Sequence, residues 1–337
     1  MAGKTEKKKI VKTDKNTILW GIFFKKLLQN FEAMVAVVDP GGRIIFANEK
    51  YVAVFRPETG NVFGKEWIKI SIPANRHTAA RVIFGKLEKG KNIQCIESPS
   101  SARCGKMSWF CIPLADKKSF YNMIIGREIK GKRAGVPGPG ISASQKPGAL
   151  SRMIINDIFN ASRASDPHTA EHSERVMLFA VKLAKELKMD NTSIVRLKIA
   201  SLLHDLGKLA VDRKILLKKG KLTRREFLEI KKHPRWGAEI VGLIYFLRDI
   251  IPIMVKHHEN FDGSGYPEGI AKNNIPLEAR ILSVADIYEA LTADRPYRKG
   301  FSREEAIAIM KSEKGKKLDP EITDIFIGML NSGKIKG

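Results

Sequence analysis

Alternating apolar and polar positions organise the first 130 residues, and apolar positions at helical spacing organise the chain beyond residue 148. The stretch FEAMVAVVDPGGRIIFANEKYVAVF reads as a strand, a tight Asp-Pro-Gly-Gly turn, a second strand and a helix. Further alternating runs stand at NIQCIES, MSWFCIPLA and FYNMIIGREI. Together they predict an antiparallel sheet of about five strands with short helices on one face, over residues 31–129. Residues 130–148, KGKRAGVPGPGISASQKPG, concentrate Gly, Pro, Ser and basic residues, which neither pack a core nor sustain a helix, and read as a linker. Beyond it, ALSRMIINDIFNASRASDP has helical spacing, LKIASLLHDLGKLA reads as an apolar helix carrying His204 and Asp205, and IIPIMVKHHE is another apolar run. The fold class expected is an α+β domain followed by an all-α domain over 149–337.

Length and charge sharpen this division. A chain of 337 residues with 43% hydrophobic content suffices for two cores. The apolar run Ile18–Phe24 is far too short to span a bilayer, and no signal-peptide pattern precedes it, so a cytoplasmic protein is expected. Residues 1–150 hold 27 Lys and Arg against 11 Asp and Glu, whereas 151–337 hold 33 against 25. Residues 1–30 form a basic tail and lead-in helix, and the tail suits weak contact with anionic lipid; no specific nucleic acid is expected. Cys95, Cys104 and Cys111 form no CxxC pair and read as reduced packing thiols.

Candidate chemistry is concentrated in the second half. Six of the seven histidines fall within 91 residues: His168, His172, His204, His233, His257 and His258. One histidine on an apolar face is ordinarily a satisfied core residue, but six beside acids at helix ends read as a metal cage. Nitrogen and carboxylate donors without cysteine suit Fe, Mn or Zn, and the donors outnumber the needs of one ion. His168 and His172 are four apart, on one face of a helix. Adjacent His204 and Asp205 offer one ligand to each side of a centre, with the carboxylate free to bridge. Two ions roughly 3.5–4 Å apart would activate a water for in-line attack on a phosphodiester, with Lys208 one turn on to stabilise the developing charge.

In order and spacing, HDLGK, HPRWG, HHENFDGSGYPEG and ARILSVADIYEALTADRPYR resemble the signature of HD-GYP domains, bacterial phosphodiesterases that hydrolyse cyclic di-GMP. The resemblance runs from about residue 150 to the C-terminus and implies an all-α HD-superfamily fold. It makes His172, His204, Asp205 and Asp286 one metal site, with Asp205 bridging to a second ion held by His233, His257 and His258. It places Lys208 near the scissile phosphate, Gly265 and Tyr266 of Gly265-Tyr266-Pro267 near the dinucleotide, and Arg295 and Arg298 on its phosphates or guanines. His168 stands where relatives with a third metal have glutamate, either as an extra ligand or as a substrate contact. Glu289 stands where relatives often have aspartate. The implied cofactors are two or three divalent ions, Fe or Mn.

The stretch VVDPGGRIIFANE and the strand order make residues 31–129 resemble a PAS sensor domain. His77 is the sole histidine there and lies about one turn earlier than a haem-binding pattern places it, so the ligand of this domain is unread. The whole is expected to be a homodimeric phosphodiesterase converting cyclic di-GMP to pGpG or onward to GMP under PAS control, with a diguanylate cyclase as a candidate partner. The alternatives are a cyclic-dinucleotide receptor acting through protein partners and an enzyme for another cyclic dinucleotide.

Overall fold

Strand-forming runs separated by turn residues collapse into one sheet, whose central strands carry apolar side chains on both faces. The computed structural model describes residues 25, 27–55, 61–78, 80–81, 94–99, 106–115, 120–128, 147–218, 220–294 and 299–335. Its five strands, β1 (Met34–Val38), β2 (Ile44–Ala47), β3 (Gln94–Pro99), β4 (Lys106–Ala115) and β5 (Phe120–Glu128), are antiparallel in the order β2-β1-β5-β4-β3. The β1–β2 turn closes as its sequence predicts: Asp39 Oδ1 accepts from the Arg43 amide at 2.8 Å, and Gly42 sits at φ 73°. Helices α1 (Glu49–Phe55) and α2 (Trp67–Ser71) follow β2. Asn48 ties this corner together from a fully buried position. Its Oδ1 accepts from the amides of Val35 and Tyr51, and its Nδ2 donates to the carbonyls of Ala33 and Leu28.

The period of two sorts the sheet's side chains into two clusters. Ala36, Val38, Trp109, Cys111 and Ile124 face α1 and α2, where Trp67 packs edge-on against Trp109 with ring centroids 5.5 Å apart. Val35, Val37, Phe110, Ile112 and Ile125 point the other way, into a cluster continuous with the helical half. The sequence predicts helices on one face and two separate cores; the second face is instead covered by the C-terminal helices. Three contacts fix that junction: Leu114 of β4 bridges to Ile244, Asn30 Nδ2 donates to Ser165 at 2.9 Å, and Arg127 pairs with the buried Asp157.

The helical half comprises α3 (Pro147–Ser165), α4 (Pro167–Glu186), α5 (Asn191–Leu203), α6 (Arg213–Leu216), α7 (Arg224–Ile230), α8 (His233–Gly242), α9 (Ile251–Lys256), α10 (Leu277–Thr292), α11 (Arg303–Glu313) and α12 (Pro320–Asn331). Asp166 and Asp190 cap α4 and α5, each accepting from the amide three residues on. Helix α3 begins at Pro147, just inside the expected linker; the basic tail, Cys104 and linker residues 130–146 lie outside the described residues. Cys111 is buried, and His77 Nε2 donates to the Ile72 carbonyl at 2.8 Å. No helix among the described residues is long and apolar enough to cross a membrane.

Replacing Asn48 by alanine strands two buried amides and two carbonyls. Asn48→Ala is expected to destabilise the protein by about 1–3 kcal/mol, read as a lower urea midpoint. An unchanged midpoint would show that this corner does not limit stability.

Candidate metal centre

Five of the seven candidate ligands, His204, Asp205, His233, His257 and His258, come from helix ends, where a chain can turn a side chain inward without disturbing its own hydrogen bonds. Helix α5 stops at Leu203, one residue short of the pair that the sequence assigns to it; His204 caps it and a 3-10 turn, Leu206–Ala210, starts after Asp205. The tighter winding brings Lys208, three residues on, back over Asp205, with Nζ to Oδ2 at 2.6 Å. His233 opens α8, His257 and His258 follow α9, His172 lies in the second turn of α4, and Asp286 is on α10. Close packing of the 3-10 turn on α8 needs a missing side chain: a Cβ on Gly207 would stand 1.9 Å from the His233 carbonyl oxygen and 2.5 Å from the Gly237 amide. The glycines of HDLGK and HPRWG therefore let the His204-Asp205 pair meet His233.

Hydrogen bonds fix the tautomers of three histidines. Nδ1 of His204, His233 and His257 donates to the carbonyls of Ser201, Ile230 and Met254 at 2.8, 2.7 and 2.6 Å, each three residues back. A carbonyl only accepts, so each Nδ1 carries the proton. The three Nε2 atoms are buried and have no hydrogen-bond partner among the described residues. They are turned toward Asp205, whose Oδ1 is 3.2 Å from His233 Nε2 and whose Oδ2 is 3.5 Å from His204 Nε2. Burial drives the pKa of His204 down and that of His257 well down, so lone pairs face a carboxylate in a nearly dry site. Acceptors converging on acceptors need a cation between them, and a divalent ion bound by nitrogen and oxygen fits these residues.

The ligand atoms fall into three overlapping groups, each within 4.8 Å: His172, His204 and Asp286; His204, Asp205 and His257; His233, His257 and His258. Burial alone would raise Asp205 and Asp286, but the Lys208 ammonium holds the first well below the usual carboxylate range, and the hydrogen bond from His172 holds the second down. His258 is pushed down to about 3 by burial. His172 behaves oppositely. Burial lowers it, yet hydrogen bonds to Asp286 and Glu289 outweigh that and raise it to about 9.

Beside this cluster, the Tyr266 ring lies over His258 with centroids 4.8 Å apart and 31° between planes, and Lys231 Nζ sits 4.7 Å from the Tyr266 centroid on α7's C-terminal side. Gly265 serves the loop's backbone: a Cβ there would stand 2.2 Å from the Asn260 amide and 2.6 Å from the His258 carbonyl. Glu259 is the residue that sequence reasoning missed. Only 2% exposed, it accepts from the amides of Glu268 and Gly269 and so pins the loop carrying Tyr266 to the histidine pair. Its signal was an acid directly after two ligand candidates in an apolar run. His168 is exposed and in none of the three groups. Arg295 and Arg298 lie outside the described residues, though Asp294 accepts from the Gly300 amide at 2.8 Å and draws the ends of their segment together.

Residues 159–322 match the HD domain family model, and the described chain from residue 159 on is all-helical. That region is 39% identical over 190 residues to a cyclic di-GMP phosphodiesterase of Pseudomonas aeruginosa, covering 56% of this chain and 44% of that one. It is 35% identical over 178 residues to the cyclic di-GMP phosphodiesterase response regulator RpfG of Xanthomonas campestris, covering 52% and 47%. It is 38% identical over 173 residues to the 3'3'-cGAMP-specific phosphodiesterase 3 of Vibrio cholerae, covering 51% and 38%. The chain thus spans less than half the length of each of these relatives.

Metal-stripped protein should lose stability on acidification. The folded pKa values of His204, His257 and His258 lie below the ordinary 6.5, so their contribution is full above pH 6.5 and is lost as pH falls toward about 3. Each contributes up to about 1.4 kcal/mol per pH unit. His172, raised to about 9, acts with the opposite sign between 6.5 and 9. Urea midpoints should therefore peak near pH 6.5; a flat profile from 6.5 down to 5 would contradict the neutral-histidine assignment.

Proposed function

We propose that the protein is a metal-dependent phosphodiesterase acting on a cyclic dinucleotide, foremost cyclic di-GMP, and that it belongs to the HD-GYP group of HD domains. The observation that carries this is the convergence of three unpartnered buried Nε2 atoms on Asp205, beside an ammonium and an aromatic loop. His172, His204, Asp205 and Asp286 would hold one ion, and His233, His257 and His258 a second, with Asp205 shared. Iron or manganese suits an all-nitrogen and oxygen donor set. The exposure of His168 favours a substrate contact over ligation, and hence two ions over three.

Divalent ions held there supply Lewis-acid polarisation of a phosphoryl oxygen and lower the pKa of a nucleophilic water. The residues do the rest. Asp205, kept ionised by its neighbours, is available to share between two cations and to orient a water by accepting from it. Lys208 reaches Asp205 from a half-buried position and sets its positive charge where a phosphate oxygen would gather negative charge. Tyr266, stacked on His258, presents an aromatic face to a guanine. Arg295 and Arg298, on the segment that leaves the Asp286 helix, can each grip a phosphate in bidentate fashion.

The five-stranded half is proposed to be a PAS-like regulatory domain, supported by its strand order and its direct packing on the catalytic half. A second reading, hydrolysis of 3'3'-cGAMP, is favoured by the similarity to the Vibrio cholerae enzyme. Chromatography of both dinucleotides with metal-replete protein separates the readings: cyclic di-GMP turned over faster supports the first, 3'3'-cGAMP turned over faster the second, and neither turned over leaves a receptor.

Asp205→Ala is expected to abolish hydrolysis and to lower metal content, whereas Lys208→Ala keeps the metal and lowers kcat. Elemental analysis beside turnover checks this division, which equal metal loss in both variants would contradict. Arg295→Ala is expected to lower kcat/KM for cyclic di-GMP about tenfold to a hundredfold, the worth of a charge-assisted phosphate contact, and to spare bis(p-nitrophenyl) phosphate. Equal loss on both substrates would place Arg295 in the fold or the metal site.

A further inference from the structure

One imidazole of the centre is oriented differently from the others. His204, His233 and His257 each give Nδ1–H to a main-chain carbonyl of their own chain segment. His172 Nδ1 lies instead against Oε2 of Glu289, a side chain 1% exposed on a different helix. The geometry is a closed square between two helices. On α4, His172 and Arg175 are one turn apart; on α10, Asp286 and Glu289 are one turn apart. Glu289 takes His172 on one oxygen and the Arg175 guanidinium, at 2.6 Å, on the other, so its plane is set from both sides. His172 Nε2 then stands 3.0 Å from Asp286 Oδ1 and 3.9 Å from Asp205 Oδ2, on the side where His204 also turns its Nε2.

We infer that Glu289 is a positioning residue, a carboxylate that fixes the tautomer and ring plane of His172 so that its Nε2 serves the His172–His204–Asp286 ion. Arg175 holds that carboxylate in place. The consequence is an asymmetry within the centre. His172 is backed by a full negative charge, which makes its imidazole the stronger donor, while His233 and His257 in the other group rest on peptide carbonyls. Elsewhere α4 and α10 meet through apolar contacts such as Phe179 against Tyr288.

This inference rests on the two-ion reading. The test titrates metal-stripped full-length protein with manganese(II) and resolves two binding steps calorimetrically, using His233→Ala to show which step belongs to which group. Glu289→Gln, which keeps the volume and removes the charge, is expected to weaken the His172-group step about tenfold to a hundredfold and leave the other unchanged. Glu289→Asp, which keeps the carboxylate, should bind more like the parent than Glu289→Gln does. If Glu289→Gln weakens both steps alike, the residue supports the fold generally and the assignment is wrong. If it changes neither while the parent binds two ions, the assignment alone falls. A parent that binds no ion at the His172 group overturns the two-ion reading and the assignment with it.

Discussion

A carboxylate buried among imidazole lone pairs is the constraint on which this molecule turns. Asp205 is 4% exposed, and three Nε2 atoms without a hydrogen-bond partner among the described residues lie around it. In a dry site such an arrangement is unfavourable unless positive charge sits at its centre. Lys208 supplies part of that charge from one edge. The rest of the helical half can be understood as what is needed to hold five chain segments at one point: most ligands at helix ends, Nδ1 protons consumed by nearby carbonyls, and two glycines where backbones nearly touch.

The same economy explains the neighbouring loop. Glu259 follows the two ligand histidines and spends its carboxylate on main-chain amides, so the Tyr266 segment is tied to the centre it covers. Glu289 does the equivalent for His172. Two buried acids that are not candidate ligands thus orient the groups that are. The sheet half meets this assembly next to the connector from α8 to α9: Ile244, which bridges to Leu114, lies between the helix that starts at His233 and the one that ends before His257. The sheet half thus touches the chain between two candidate ligand sets.

Much of this was legible in the sequence because the determinants are local. The DPGG turn and the alternating strands depend on a few adjacent residues, and the structure places each where the pattern predicts it. Candidate ligands were legible because histidine beside acid at the end of an apolar run is a rare residue choice. The features that were not legible depend on distant partners. The alternating pattern predicts cover on one face of the sheet, and nothing local says that the helical half covers the other. Gly207 and Glu289 look ordinary until His233 and His172 arrive from elsewhere in the chain. The end of α5 at Leu203 was also hidden, since HDLGK continues the helical spacing while its backbone tightens to let Lys208 fold over Asp205.

The central claim is that the Nε2 atoms of His204, His233 and His257 are lone pairs awaiting cations. A crystal structure of manganese-loaded protein, with anomalous differences collected at the manganese edge, tests it most directly. The account predicts two anomalous peaks flanking Asp205, within about 2.0–2.4 Å of those Nε2 atoms, with every Nδ1 still on its carbonyl. An ordered, metal-loaded crystal with no peak beside Asp205, or with ions on Nδ1 atoms swung away from Ser201, Ile230 and Met254, would contradict it.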